Sequence, residues 1–316
     1  KAPTFPRYLK SIKKIYLPKF YGLENFGEPK KTRLIFGDDI NIKFTGELRE
    51  KQKPALNAFM TQCNTDFSKN PEFLKQSNGG IVSLPCGYGK TILALYLITL
   101  LKKKTIVIVH KDFLIAQWKE RIEQFIPDAK VGTIQGQVFD IEGKDIVLAM
   151  LQSLSMKEFS SNAFDSFGFT IIDECHHIAA EVFSRTLPKI NSYYSLGLSA
   201  TPKRKDGLSK VFHWFLGPMV YEIKQREDYP IQINNLLYSN NDPEYLKEEL
   251  NFMGKVCAPK MINKITENPR RTIFIVEIIK ILLKQGKKIL VLSDRRQHLE
   301  IYIIYRRKGC HVFSRK

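Results

Sequence analysis

The stretch Gly80-Ile-Val-Ser-Leu-Pro-Cys-Gly-Tyr-Gly-Lys-Thr91 decides the fold. Gly80 to Leu84 has the composition of a short buried strand, and the apolar run from Thr91 to Leu101 behind it predicts a helix. Between them lie two glycines, a lysine and a hydroxyl. Strand, glycine loop and helix start, in that order, are the context a Walker A loop requires. Gly87 and Gly89 let the backbone curl so that several N–H groups converge on the β- and γ-phosphates of a nucleotide. The helix N-terminus adds partial positive charge. Leu84, Pro85, Cys86, Gly87, Tyr88, Gly89, Lys90 and Thr91 therefore form the predicted nucleotide cradle. Within it Lys90 contacts the β/γ-phosphate oxygens and the Thr91 hydroxyl ligates Mg²⁺. Leu84 stands where the strict pattern has its first glycine, so the competing reading is an ordinary glycine-rich βα turn.

Outward from the loop, Arg49 to Cys63 reads as a helix and Thr105–Val109 as a β-branched strand. Asp112 is the expected N-cap of an amphipathic helix Phe113–Phe125 that stops before Pro127. Lys130–Ile134, Asp145–Ala149, Phe169–Ile172 and Ser195–Leu198 are further strand-like runs, followed by segments near Val220 and Ile231 and a polar stretch, Ser239–Glu249. Short apolar strands alternating with helices predict an α/β fold, a parallel sheet covered on both faces. A second alternation starts at Arg270, with a helix to Lys284, a strand Lys288–Leu292 and a helix through Arg307. Residues 1–45 carry Pro3, Pro6, Pro18 and Pro29 among aromatics and read as an extended or β-containing arm.

The apolar strand Phe169–Ile172 runs into Asp173-Glu174-Cys175-His176. Ligands collect at the C-terminal edge of a parallel sheet, so a strand delivering carboxylates there suits a nucleotide site. Asp173 is expected to hold Mg²⁺ through water and Glu174 to polarise the attacking water. The competing assignment makes Cys175, His176 and His177 zinc ligands, although three consecutive residues point in different directions and lack a spaced partner pair.

The Walker A loop, Asp173-Glu-Cys-His176 and Ser199-Ala-Thr-Pro202 occur in that order, each after a strand. Together they resemble motifs I, II and III of the superfamily 2 helicases. The tract Gly197–Leu208, the segment Phe212-His-Trp-Phe-Leu-Gly-Pro218 and the lead-in Tyr21–Gly27 are similar to the helicases of large cytoplasmic DNA viruses, the poxvirus transcript-release type. Excision-repair helicases are more distantly similar. The resemblance implies a P-loop NTPase with ATP and Mg²⁺ as cofactors, nucleic acid as track and two RecA-like lobes. It implies an arm at 1–46, an ATP-binding lobe at 47–225, and at 226–316 a linker with the start of an incomplete second lobe. It makes Gln52 the adenine contact and Ser199 and Thr201 the coupling residues that link γ-phosphate occupancy to lobe movement. Lys111, Gln135, Gly136, Gln152, Ser153, Arg295 and Arg296 become the nucleic-acid contacts, met through phosphates. Lys111 reads equally as a surface lysine, Lys203-Arg204-Lys205 as a solvated loop, and Trp118 as core rather than a base-stacking platform.

The charge is uneven. The net +18 divides into +5 over residues 1–47, +1 over 48–253 and +12 over 254–316. Basic flanks around a near-neutral middle suit a polyanion partner, though a lysine-rich solvated surface has the same composition. Five scattered cysteines without a Cys-x-x-Cys pair fit a reducing, intracellular compartment and neither a disulfide scaffold nor a zinc ribbon. The longest apolar run ends at Lys102-Lys103-Lys104, short of the ~20 residues that span a bilayer, so no membrane partner is expected.

The expected function is thus an ATP-dependent DNA helicase or translocase, with DNA preferred to RNA and the transcription machinery as a further partner. Its expected location follows the viral resemblance: host cytoplasm, virus factory or virion. Two alternatives stand beside it, a duplex-DNA translocase that does not separate strands, and a truncated non-catalytic DNA-binding or virion-packaged protein. No Gln-x-x-Gly-Arg-x-x-Arg segment, the family's motif VI, occurs through Lys316. The expectation is therefore weak hydrolysis by residues 1–316 and a natural chain that continues.

Overall fold

A computed structural model of the chain describes residues 8–27, 29–31, 34–64, 78–177, 180–200, 209–223, 232–293, 295 and 297–300. It divides into two compact units, Lys1–Asp228 and Tyr229–Lys316.

The first unit opens with an antiparallel pair, β1 (Leu9–Lys10) and β2 (Ile15–Tyr16), and the helix α1 (Lys19–Phe26). A 3₁₀ turn at Glu50–Gln52 leads into α2 (Lys53–Asn64), then β3 (Gly79–Ser83), α3 (Lys90–Leu101), β4 (Thr105–Val109) and α4 (Asp112–Phe125). Next come β5 (Val131–Gln135), β6 (Val138–Asp140), β7 (Ile146–Met150), α5 (Leu151–Met156), β8 (Phe169–Ile172) and α6 (Ala180–Thr186). The unit closes with β9 (Tyr194–Ser199), α7 (Ser209–Leu216) and β10 (Met219–Glu222).

Eight strands form one sheet in the order β10-β3-β9-β8-β4-β7-β5-β6. Every pairing is parallel except the edge hairpin β5–β6, where Ile134 faces Phe139. β3, β4, β7 and β8 are buried throughout, which is why they read as unbroken apolar runs rather than alternating ones. Successive residues serve opposite faces. Val107 and Val109 join Phe59, Leu93, Leu97 and Trp118 under α2, α3 and α4. Ile106 and Ile108 join Leu154, Phe183, Phe212 and Leu216 under α5, α6 and α7. A parallel sheet between two helix layers is the architecture expected from the sequence, and no described helix is long and apolar enough to cross a membrane.

Three local expectations are corrected. The arm holds the expected β content in β1 and β2 but is also partly helical: Pro18 precedes α1, which buries Phe20 and Leu23 and sets Tyr21 edge-on to Trp214 of α7, with ring centroids 5.2 Å apart. Proline at a helix entry costs nothing because the first N–H groups lack intrahelical partners anyway. Asp112 is not the N-cap of α4. Lys111 is, in extended conformation, and Asp112 sits in the first turn, where its charge meets the positive end of the helix. The chain from Lys288 to Leu292 is not a strand, since no described segment pairs with it. The expected strand-like segment at Ile231 lies outside the described residues.

The second unit holds α8 (Pro243–Leu246), α9 (Ala258–Glu267) and α10 (Pro269–Lys284). Asn268 caps α10 by accepting from the Arg271 backbone N–H at 2.9 Å. Thr272 and Val276 are its buried residues, and Val276 shares a small apolar cluster with Leu299.

Candidate active site

β9 lies between β3 and β8 in the sheet, with Ser83 opposite Ser199 and Ile172 opposite Gly197. Parallel register therefore brings three strand ends to one edge: the glycine loop after β3, Asp173-Glu174 after β8, and Ser199 at the end of β9. Gly87 and Gly89 both take left-handed backbone, with φ of 81° and 84°, so the loop turns back on itself before α3 begins at Lys90.

Lys90 is buried, and its Nζ lies 3.2 Å from Glu174 Oε1 while donating to the Leu84 carbonyl at 3.3 Å. Glu174 has φ of 48°, rare for a residue with a side chain, and belongs to the turn that follows β8. Its Oε2 is buried without an aligned hydrogen bond, 3.4 Å from His176 Nδ1. His176 Nδ1 in turn pairs with Ser199 Oγ at 3.0 Å. Lys90, Glu174, His176 and Ser199 thus form one polar chain across the strand ends.

Asp173 is 5% exposed, and burial pushes its carboxyl above the usual range. The Trp118 indole hydrogen bond opposes that shift, the neighbouring Glu174 adds to it, and Lys90 counters. Oδ2 accepts from Trp118 Nε1 at 2.8 Å and Oδ1 from the Glu174 backbone N–H at 3.0 Å.

A cavity of about 700 Å³ opens in front of these groups. Pro85, Cys86, Gly87, Gly89, Lys90, Thr91, Asp173, Glu174 and Gln52 line it. Of the remaining cradle residues, Leu84 is fully buried beneath the loop and Tyr88 lies under the Lys51 ammonium, 4.2 Å from its ring centroid. Gln52 is 2% exposed and already engaged at both ends of its amide. Nε2 donates to Gly89 O at 2.9 Å and Oε1 accepts from Arg49 N at 2.8 Å. One N–H and one lone pair remain for a ligand.

The donor set fits a hard divalent cation: the Thr91 hydroxyl and the buried Asp173 carboxylate line one cavity, beside Glu174, whose buried Oε2 makes no aligned hydrogen bond. Among the described residues no group of three His, Cys, Asp or Glu has metal-holding geometry.

The other expected positions are dispersed. Lys111 is exposed at the start of α4, and Gly136 after β5 donates its N–H to Ser153 Oγ of α5 at 3.0 Å, beside exposed Gln152. These follow β4, β5 and β7, so Gln135, Gly136, Gln152, Ser153 and Lys111 share the site's sheet edge on its other half. Arg295 belongs to the second unit, where its Nε donates to Asn263. Thr201 and Arg296 lie outside the described residues. The sequence reading missed the wall contributed by α4. Leu114, Gln117, Arg121 and Phe125 line the cavity, and their three- and four-residue spacing puts them on one helix face.

Residues 45–204, half of the chain, match the family model described as type III restriction enzyme, res subunit. A candidate ATP-dependent RNA helicase of Acanthamoeba polyphaga mimivirus is 31% identical over 95% of this chain and 56% of its own length. A candidate helicase of Invertebrate iridescent virus 3 is 26% identical over 75% of this chain and 71% of its own. A DNA 3′-5′ translocase of Sulfurisphaera tokodaii is 32% identical over 57% of this chain and 36% of its own. The chain therefore spans about half the length of the mimivirus relative and about a third of the archaeal one.

Proposed function

This chain belongs to the type III restriction enzyme, res subunit, family, and from that premise we propose that it is an ATP-dependent nucleic-acid motor of superfamily 2. The observation that carries the reading is the approach of Lys90 Nζ to Glu174 at 3.2 Å, at the mouth of a cavity floored by a glycine loop. A lysine at a helix N-terminus recognises phosphate, and a carboxylate beside it is placed to orient water toward that phosphate. When nucleotide enters, Lys90 exchanges Glu174 for a β/γ-phosphate oxygen, which releases Glu174 as general base. Thr91 and Asp173 would hold Mg²⁺, which when bound would supply the positive charge that offsets the phosphate oxygens. Pro85 to Gly89 wrap the phosphates, and Gln52 offers its remaining amide donor and acceptor to adenine. Ser199 reaches Glu174 through His176, which supports a coupling role for Ser199; Thr201 shares that proposal only by its place in Ser199-Ala-Thr-Pro202.

Nucleic acid is the proposed track, met through Lys111, Gln135, Gly136, Gln152, Ser153, Arg295 and Arg296. Backbone contacts of this kind position a strand without reading its sequence. DNA is the proposed substrate, as the name of the archaeal relative has it, and RNA, named for the mimivirus relative, is the outcome to test against it. The viral relatives support action inside an infected cell; the cytoplasm or virion as its place and the transcription machinery as its partner are part of the same proposal. ATP turnover measured with single-stranded DNA, duplex DNA and RNA, with strand displacement and triplex displacement in parallel, tests the proposal. Lys90→Ala is expected to abolish Mg²⁺-nucleotide binding. Glu174→Gln is expected to keep binding and lose turnover by about 10²–10⁴-fold. Unchanged turnover in both variants overturns it.

A further inference from the structure

Trp118 stands in the middle of α4, 1% exposed, among the apolar side chains of one sheet face. Packing alone would be served by any large ring. Its indole N–H, however, is aimed at Asp173 Oδ2 at 2.8 Å, across 55 residues of sequence. A buried indole donor requires an acceptor, and a carboxylate is a strong one. Asp173 Oδ1 is held as well, by the Glu174 backbone N–H at 3.0 Å. With one oxygen tied to α4 and the other to its own turn, the carboxylate plane is set by the protein before any ligand arrives.

We propose that Trp118 is a positioning residue for Mg²⁺: its indole N–H fixes the Asp173 carboxylate in the orientation from which it holds the ion. The inference rests on the nucleotide-site reading above and adds to it a partner outside the phosphate loop and the acidic pair. Each carboxylate oxygen keeps lone pairs after accepting one hydrogen bond, so the ion and the indole do not compete for the same electrons. Lys111 is the N-cap of α4, two residues after β4 ends at Val109, so the tryptophan also ties the helix capped by that proposed strand contact to the ion-holding carboxylate.

Trp118→Phe keeps the ring and removes the donor. Mg²⁺ titrations of the whole chain at saturating fluorescent ATP analogue are expected to show the ion bound about 10–100-fold more weakly, the usual effect of removing an outer-shell partner. Nucleotide affinity measured in EDTA is expected to stay within about twofold, a separation that lost core packing does not produce. Unchanged Mg²⁺ affinity in folded Trp118→Phe overturns the proposal, and so does an equal loss of both affinities. Should that variant not fold, a second measurement decides. Trp214→Phe leaves Trp118 as the sole indole of a two-tryptophan chain. Its ¹⁵N-indole resonance is expected to move upfield on Asp173→Ala, and a resonance that stays in place removes the hydrogen bond and the proposal with it. If Lys90→Ala binds Mg²⁺-nucleotide normally, the nucleotide-site reading has failed instead.

Discussion

Lys19, the first residue of α1, and Cys63 of α2 are a half-buried cation and a half-buried thiol. Lys19 Nζ donates to Tyr193 O at 3.1 Å, and burial lowers its pKa from 10.5 to about 8, with Cys63 opposing. Burial likewise pushes the Cys63 thiol from 9.0 up to about 12, against Lys19. Between pH 8 and 10.5 the folded lysine has lost its proton while the unfolded one keeps it, so stability from this group rises with pH. For Cys63 the sign reverses: its contribution is complete below pH 9.0 and is lost as pH climbs toward 12. Lys19→Met is therefore expected to melt above the parent at pH 7, with the gap closing toward pH 10. A gap constant with pH in paired thermal melts contradicts this. At Gly89, φ is 84° and an added Cβ would lie 2.7 Å from Gln52 Nε2. Gly89→Ala is expected to cost about 1–2 kcal/mol from left-handed backbone alone and to weaken nucleotide binding, both read in one titrated melt.

Among the elements, α3 is apolar all round, with Leu93, Leu95, Leu97 and Ile98 fully buried, because it lies between the sheet and its neighbouring helices. Leu97→Ala is expected to destabilise the first unit by about 2–5 kcal/mol in urea unfolding, with an unchanged m value. Elements buried on both faces were readable as runs: β3, β4, β7, β8 and β9 fall within a residue or two of where composition puts them. β6 was not readable, since Val138, Phe139 and Asp140 are all exposed and hold their place only by pairing with β5. α9 also went unread, although Met261, Ile262 and Ile265 fall at helical spacing within it.

At the scale of the whole molecule, charge and nucleotide chemistry separate along the chain. Every described nucleotide-site residue falls in Lys1–Asp228, whereas residues 254–316 carry sixteen basic and four acidic side chains. Residues 1–228 alone are expected to unfold cooperatively and to bind Mg²⁺-nucleotide as the whole chain does. Their affinity for DNA is expected to be lower. For the whole chain, six or more phosphate contacts imply a loss of about 10³-fold in DNA affinity between 50 and 200 mM salt. A flat salt dependence in fluorescence anisotropy titrations removes nucleic acid as the partner of the basic end.

The sequence by itself determined where the glycine loop and the acidic pair lie and that an α/β sheet carries them. Phosphate cradling and strand-end carboxylates need contiguous residues, and contiguous residues can be read in one dimension. Which strands adjoin cannot be read that way, because the order β10-β3-β9-β8-β4-β7-β5-β6 is a choice among packings of similar apolar runs. Only the folded sheet brings Glu174 to Lys90, turns one face of α4 into a cavity wall, and gives Asp173 the indole of Trp118. Burial decides these pairings: a carboxylate shut away from water needs a donor, and the fold determines which donor lies within reach.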